Sequence, residues 1–274
     1  MFTPSPNKLY TMPAHFGESD HNQQDTVPKG WYHDVTVIAV PYITDTEAIA
    51  QYLPAGFEPT LVPVITVYYC CNKQVDWLAG HGYNMIGVNA SVVFKGRDET
   101  LEGSYCLAIW ENLTDPILRG REVQGIPKVF ADIPEHSERL GKLATNATHF
   151  GHKIVDLSIK NLTALSAEEM TAMKQSQLGK DHPMACRYLP NIGVMRGASL
   201  NEVTTFPSES FHREVFVGEG EVDWHRLTWQ QNPTQFHIIN AIAALPIISY
   251  LPSVVTKGSV NLTLADRPTR VLEV

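Results

Sequence analysis

The sequence is poor in the features that mark several classes of protein. It has four cysteines in 274 residues and no Cys-x-x-Cys spacing, so a zinc site is not expected. Its lysines and arginines form no basic run, and the formal net charge of −8 argues against a nucleic-acid-binding surface. The longest apolar stretch, residues 238–251, is interrupted by Asn240, Pro246 and Ser249 and is too short to span a bilayer.

The N-terminal segment has no basic region followed by an apolar run. A signal peptide is therefore not indicated, and we expect a soluble, cytoplasmic protein without a membrane partner. Residues 1–30 are polar and rich in proline, asparagine, aspartate and glutamine, which is typical of an extended arm. Such arms often pack on a neighbouring subunit, and we expect a homo-oligomer with a single domain over residues 31–274.

Short β-branched and aromatic runs dominate the rest of the chain. Strands outnumber helices by about three to one and do not alternate regularly with them, which argues against a parallel doubly wound sheet. We predict an α+β, mainly β protein: a large antiparallel sheet or a β-barrel with a few covering helices. The predicted strands are residues 35–43, 61–71, 83–95, 104–111, 128–132, 142–150, 153–160, 187–195, 198–206, 214–219 and 259–264, and the predicted helices are residues 48–53, 117–123, 166–178 and 234–245.

Lys128 stands out because it lies between a proline and an apolar run. In a strand over residues 128–132 its side chain would share a face with Phe130, which normally points inward. Burial disfavours the ammonium form and lowers the pKa of a lysine by up to ~3–5 units. A neutral lysine can attack a ketone and form a Schiff base. The alternative is a lysine at the head of a strand that extends its amine to water.

The segment around this lysine carries a resemblance to a known family. Gly120-Arg121-Glu122, four further residues, Pro127-Lys128 and an apolar strand resemble the active-site segment of the acetoacetate decarboxylase family. The resemblance implies that Lys128 forms the imine with a substrate ketone. It also implies a β-cone or barrel that encloses the active-site cavity, and no metal or organic cofactor.

Three departures from the family pattern bear on the substrate. Acetoacetate decarboxylases have a second lysine beside the imine-forming one, whereas Lys128 has Pro127 and Val129 as neighbours, so desolvation must activate it. Those enzymes use an arginine near the N-terminus, but this chain has none before Arg97. They also use a glutamate about forty residues before the lysine, where our alignment places Met85. We therefore predict poor turnover of acetoacetate itself.

Three further residues are candidates for the site. Gln124, four residues before the lysine, resembles family members that catalyse aldol condensation with dehydration, or cyclisation, and could bind a substrate carboxylate; alternatively it is a polar turn residue. Tyr83 could donate or accept a proton near the imine, or be a core tyrosine of its strand. Glu122 could be the general acid and base, or form an ion pair with Arg121.

With the resemblance, the position of Lys128 implies a carbon–carbon lyase that acts on a small-molecule keto acid through an imine with Lys128, in the manner of a decarboxylase. The first alternative is an aldolase–dehydratase or cyclase that uses the same lysine. The second is a non-catalytic small-molecule binding protein, which would need the cavity but not a neutral amine.

Overall fold

The predicted strands join into one large sheet in the computed structural model, which describes residues 3–16, 30–176, 180, 182–194 and 196–274. The strands are β1 (Trp31–Ile43), β2 (Phe57–Pro59), β3 (Val64–Val75), β4 (Tyr83–Lys95), β5 (Thr100–Glu111), β6 (Lys128–Phe130), β7 (Ser137–Arg139), β8 (Lys142–His149), β9 (His152–Ala164), β10 (Pro183–Pro190), β11 (Ala198–Thr205), β12 (Glu209–Trp224), β13 (Ser249–Tyr250), β14 (Ser253–Asn261) and β15 (Arg270–Leu272). The helices are α1 (Thr46–Ala50), α2 (Thr114–Arg119), α3 (Ala167–Ser176) and α4 (Phe236–Ile242). A π-helical turn, Gly120–Gln124, extends α2.

The sheet follows a single path through most of these strands. Its order is β15-β11-β10-β5-β4-β3-β1-β14-β12-β9-β8-β7, with β13, β2 and β6 paired at its sides. Neighbours are antiparallel except for β5 with β10 and β5 with β6. The mainly β prediction is therefore confirmed. Within the described residues no pairing joins β15 to β7, so the sheet is not a closed barrel.

Most of the errors in the predicted elements lie in the second half of the chain. The last long strand is β14, Ser253–Asn261, whereas a strand over residues 259–264 was predicted. β12, Glu209–Trp224, extends beyond the predicted strand at both ends, and it passes Gly220, where the absence of a side chain lets Ser253 approach closely. The short strands β2 and β7 were not predicted, since three residues carry too little pattern to be recognised.

Two of the four described helices, α1 and α3, begin at side-chain caps. Asp45 caps α1 by accepting a hydrogen bond from the Ala48 N–H at 2.8 Å. Ser166 and Glu169 form the reciprocal capping box at the start of α3, with the Ser166 N–H donating to Glu169 Oε2 at 2.7 Å. The predicted end of this helix near Leu178 lies outside the described residues.

The core is aromatic near the middle of the sheet. Its largest fully buried side chains include Trp110, Tyr42, Tyr69 and Phe94. The indole N–H of Trp110 donates to Gln235 Oε1 at 2.9 Å, which fastens the start of α4 to β5.

Three of the four cysteines are buried, and all four are free thiols, in keeping with a role as small core residues. The described helices are all too short or too polar to cross a membrane. The division into an arm of residues 1–30 and one domain stays a prediction, since residues 17–29 lie outside the described part of the chain.

Candidate active site

Lys128 is positioned by a strand–helix–strand unit. β5 and β6 lie side by side and parallel, with Ile109 opposite Lys128. The chain between them forms α2 and the π-helical turn and then reverses direction at Gly125. The φ of Gly125 is +76°, a left-handed conformation that glycine adopts without strain. Pro127 cannot continue a helix, so the chain enters β6 directly afterwards. The helix predicted over residues 117–123 thus ends within one residue of its predicted end, at Gln124.

The amine of Lys128 is buried beneath that helix. The residue is 8% exposed, and its Nζ donates a hydrogen bond to the Pro116 carbonyl oxygen at 3.1 Å. The side chain passes against Gly120, where a Cβ would lie 2.5 Å from Lys128 Cε and 2.8 Å from Nζ. Gly120 therefore leaves the space that the lysine occupies.

The reason for this burial differs from the one that the sequence indicated. Phe130, on the same face of the strand by alternation, is 38% exposed and meets His149 edge-on. Lys128 is covered by α2 and the π-helical turn. This cover does not extend over Phe130, the last of the three residues of β6. The inference that Phe130 carries the lysine inward is therefore wrong, although the lysine is buried.

A buried glutamate accompanies the amine. Glu111, the last residue of β5, is 0% exposed, and its Oε1 lies 2.8 Å from Lys128 Nζ. Burial raises the pKa of Glu111, and the positive charge of Lys128 offsets part of that rise. The adjacent Cys106 thiol is also buried, and its pKa is raised to about 12, so it stays neutral near pH 7. The sequence reasoning included neither partner in the environment of Lys128.

Lys128 opens into a cavity of about 310 Å³. Its walls include Tyr32, Trp77 and Arg119, together with residues 262–264, Pro268 and Thr269. Among the described residues that line it, Lys128 and Arg119 are the charged ones. The cavity thus combines apolar walls with two cationic side chains, which suits an anion that carries an apolar part.

The residues predicted to join Lys128 are distributed unequally around it. Gln124 lines the same cavity as the amine. Tyr83 is 6% exposed and lies behind the wall, where its hydroxyl meets that of Tyr32 at 3.3 Å. Glu122 faces the N-terminal segment and accepts a long hydrogen bond, 3.4 Å, from the Met12 N–H. Their catalytic roles stay predictions.

The neighbour of Glu122 also has a different partner from the one considered. The Arg121 guanidinium donates to the Lys128 carbonyl oxygen at 3.0 Å, which ties the π-helical turn to β6. This contact holds the backbone of the lysine in place and gives the Gly-Arg-Glu motif a structural role at the site.

Sequence reasoning missed four residues of the site: Tyr32, Trp77, Glu111 and Arg119. The hydroxyl of Tyr32 accepts from the Trp77 indole N–H at 3.0 Å, and the Arg119 guanidinium carbon lies 5.9 Å from the Trp77 ring centroid. Burial raises the pKa of Tyr32, so its hydroxyl stays protonated. The signal for Glu111 was available: an acid ends an otherwise apolar strand, which is unusual unless the acid has a buried partner.

The chain lacks a glutamate and an arginine at the positions that the family pattern predicts, but Glu111 and Arg119 bring a carboxylate and a guanidinium to the same region of the structure. Glu111 is paired directly across the sheet from Met85, the position at which a glutamate was sought, and opposed residues project from the same face. Arg119 brings a guanidinium to the cavity from α2 instead of from the N-terminal region. The site therefore has a carboxylate and a guanidinium after all. The absence of the family's arginine and glutamate is thus a weaker reason for expecting poor acetoacetate turnover than it was from the sequence.

Several solved structures share this architecture. An acetoacetate decarboxylase from Legionella pneumophila superimposes with a TM-score of 0.70 at 17% identity, covering 99% of this chain and 98% of that one. An acetoacetate decarboxylase-like enzyme from Sphingomonas wittichii gives 0.67 at 15% identity, over 90% and 94%. The enduracididine biosynthesis enzyme MppR, complexed with pyruvate, gives 0.65 at 15%, over 96% of both chains. At these identities the likeness establishes the fold.

The sequence itself identifies the family. A search of curated proteins found no match. The family model for acetoacetate decarboxylase (ADC) matches residues 11–261, which is most of the chain and includes the whole segment from Glu111 to Lys128. The chain therefore belongs to the acetoacetate decarboxylase family.

Proposed function

We propose that the protein is a carbon–carbon lyase that processes a keto acid through an imine with Lys128. The observation that carries this proposal is the position of Lys128, whose amine is buried and held by Pro116 and Glu111 while its side chain lines the cavity of about 310 Å³. Family membership supports keto-acid chemistry in general. A lysine that served only stability would not need to reach the cavity.

The reaction follows from imine chemistry. The amine adds to the ketone carbon, water leaves, and a protonated imine forms. In a β-keto acid the carbon–carbon bond to the carboxylate then breaks, its electron pair moves into the iminium system, and carbon dioxide and an enamine result. Protonation of the enamine at carbon and hydrolysis of the imine release the ketone and restore Lys128.

The cavity suggests how the acid is held. The Arg119 guanidinium has several N–H donors and can donate two parallel hydrogen bonds to a substrate carboxylate, in the fork geometry that arginine favours. Gln124 offers a neutral donor on the same cavity surface as the amine. Trp77, Leu264 and Pro268 leave apolar space for a substituent, and a cavity of about 310 Å³ accommodates more than a four-carbon acid.

Aldol condensation with dehydration is the second candidate. It is favoured by Gln124 in the cavity and by the likeness to MppR, which has been solved with the condensation product of pyruvate and imidazole 4-carboxaldehyde. In this reaction the imine of pyruvate loses a proton from its methyl group, and the resulting enamine attacks an aldehyde. Both reactions use the imine as the electron sink.

The direct test is reductive trapping. Borohydride added with pyruvate or acetoacetate should increase the mass of the intact protein by one reduced adduct, and peptide mapping should place it on Lys128. The Lys128→Ala variant should form no adduct, while Lys153→Ala, which removes an exposed lysine of β9, should behave as the wild type. Wild-type protein that binds these acids without trapping would support the binding-protein alternative and refute the proposal.

A second comparison separates the two reactions. Carbon dioxide release from acetoacetate is measured against consumption of pyruvate with an aromatic aldehyde under the same conditions. We expect the second reaction to be faster. A kcat/KM above ~10⁴ M⁻¹s⁻¹ for acetoacetate would show that Arg119 and Glu111 have replaced the missing groups of the family.

A further inference from the structure

Glu111 is a buried carboxylate whose one ion-pair partner among the described residues is Lys128. Its side chain is fully buried, and apart from the 2.8 Å contact with Lys128 Nζ neither carboxylate oxygen has a hydrogen-bond partner among the described residues. A buried carboxylate usually accepts several hydrogen bonds, because an unpaired charge in the interior is costly. Because few other contacts stabilise the charge on Glu111, a proton can transfer from the Lys128 ammonium to the Glu111 carboxylate and back.

The two members are also held in fixed positions. Glu111 ends a long central strand, and Lys128 begins the strand beside it, with Glu111 opposite Phe130 and Ile109 opposite Lys128. The Lys128 side chain is confined by Gly120 on one side and bonded to the Pro116 carbonyl on the other. The carboxylate thus touches the nitrogen that would react, at hydrogen-bond distance, without rearrangement.

Resting on the function proposed above, we infer that Glu111 is a catalytic proton carrier for Lys128. In the resting pair the nitrogen is an ammonium and Glu111 a carboxylate. Glu111 takes one proton, the free amine attacks the ketone carbon, and Glu111 delivers that proton to the oxygen, giving the carbinolamine. Glu111 then takes a second proton from nitrogen and delivers it to the hydroxyl, which leaves as water.

Protons and charge balance across this sequence. The ammonium begins with three protons; two end in the water molecule and one stays on the iminium nitrogen. Glu111 begins and ends as a carboxylate, so the buried pair carries one positive and one negative charge both before and after imine formation. Since moving a charge into or out of a buried site is costly, this conservation keeps the covalent step inexpensive.

Two positions on the same strand provide the test. Glu111→Gln keeps the shape and an acceptor oxygen but cannot carry a proton, and Glu111→Asp keeps the acid one methylene further away. The control is Glu102→Gln, which removes an exposed acid of β5 that pairs with Lys180. The rate of borohydride trapping is measured with pyruvate and with acetoacetate from pH 5 to 9, alongside the melting temperature and the non-covalent binding of each acid.

We expect Glu111→Gln to bind both acids and to lose about 10²-fold or more in trapping rate, within the usual range for a positioned acid or base. Glu111→Asp should retain part of the rate with a displaced pH profile, and the control should match the wild type. Wild-type rates and pH profiles in both Glu111 variants would overturn the inference. If the Gln variant does not fold, the profile of the Asp variant decides: displacement supports proton transfer, and identity with the wild type refutes it. Failure of the wild type to trap at Lys128 would instead refute the proposed function.

Discussion

Gly120→Ala separates the chemistry of the site from its stability. The backbone at Gly120 is helical, with φ −64°, so alanine is accepted there and by propensity gains ~0.5–1 kcal/mol over glycine. Its methyl group, however, would lie 2.5 Å from Lys128 Cε and 2.6 Å from Cδ. Carbon atoms in contact prefer ~3.5–4.0 Å, so the lysine side chain must move by about 1 Å.

That displacement acts on the reactive nitrogen. A nitrogen that moves by about 1 Å loses its 2.8 Å contact with Glu111 or its 3.1 Å bond to Pro116, and misplacement on this scale costs roughly 10²-fold in rate. Overpacking costs ~1–3 kcal/mol and the helix gain of ~0.5–1 kcal/mol offsets part of it, so the expected loss of unfolding free energy is at most about 2.5 kcal/mol.

The assay is the rate of borohydride trapping with pyruvate, measured beside urea unfolding. The matched control is Leu118→Ala, which removes a half-exposed side chain from the same helix outside the cavity lining. A Gly120→Ala protein that traps within threefold of the wild type would refute the reasoning, since the lysine would then work without the space left by this glycine.

Two further outcomes follow from the charges of the site. Arg119→Gln should raise KM for a keto acid by about 10- to 100-fold, the value of a hydrogen-bonded charge of ~1.5–3 kcal/mol, while trapping of acetone, which lacks a carboxylate, stays unchanged; an equal loss with acetone would contradict this role. Because the pKa of Glu111 is raised above its ordinary 4.5, the stability that its protonation contributes is present below pH 4.5 and lost as the pH rises through the raised value. Urea unfolding at several pH values from 4.5 upward should therefore show the wild type losing stability relative to Glu111→Gln, with a slope of at most ~1.4 kcal/mol per pH unit, and parallel curves would contradict it.

The parts of the site that the sequence predicted are those fixed by local chain geometry. Lys128 and Gln124 lie on either side of a bend set by Gly125 and Pro127, and the structure places both on one cavity. Such a bend can be predicted from the sequence, because glycine allows backbone conformations that other residues avoid and proline cannot continue a helix. The mainly β class could also be predicted, because apolar and β-branched runs, which favour strands locally, recur throughout the chain.

What the sequence did not predict depends on strand pairing. Glu111 reaches Lys128 because β5 and β6 are parallel neighbours, and its position across from Met85 follows from the register of β4 and β5. Register is a property of the assembled sheet, and no single strand encodes it. Tyr32 replaced Tyr83 at the cavity wall for the same reason: both tyrosines are buried, and only tertiary packing decides which one faces the substrate side.

The strand–helix–strand unit also has a consequence for how the protein can diverge. The contact between Glu111 and Lys128 closes a short loop, whose entropic cost is small and grows slowly with length. Tyr32 and Trp77, by contrast, belong to the first third of the chain, and the lining residues 262–264, Pro268 and Thr269 lie near its C-terminus. Reactivity is therefore encoded in one compact stretch, which also supplies Arg119 and Gln124, whereas the rest of the cavity lining is encoded in distant stretches. Mutations in these distant residues can change the shape of the cavity without disturbing the contact between Glu111 and Lys128. The same strand–helix–strand unit can therefore serve proteins that bind different acids.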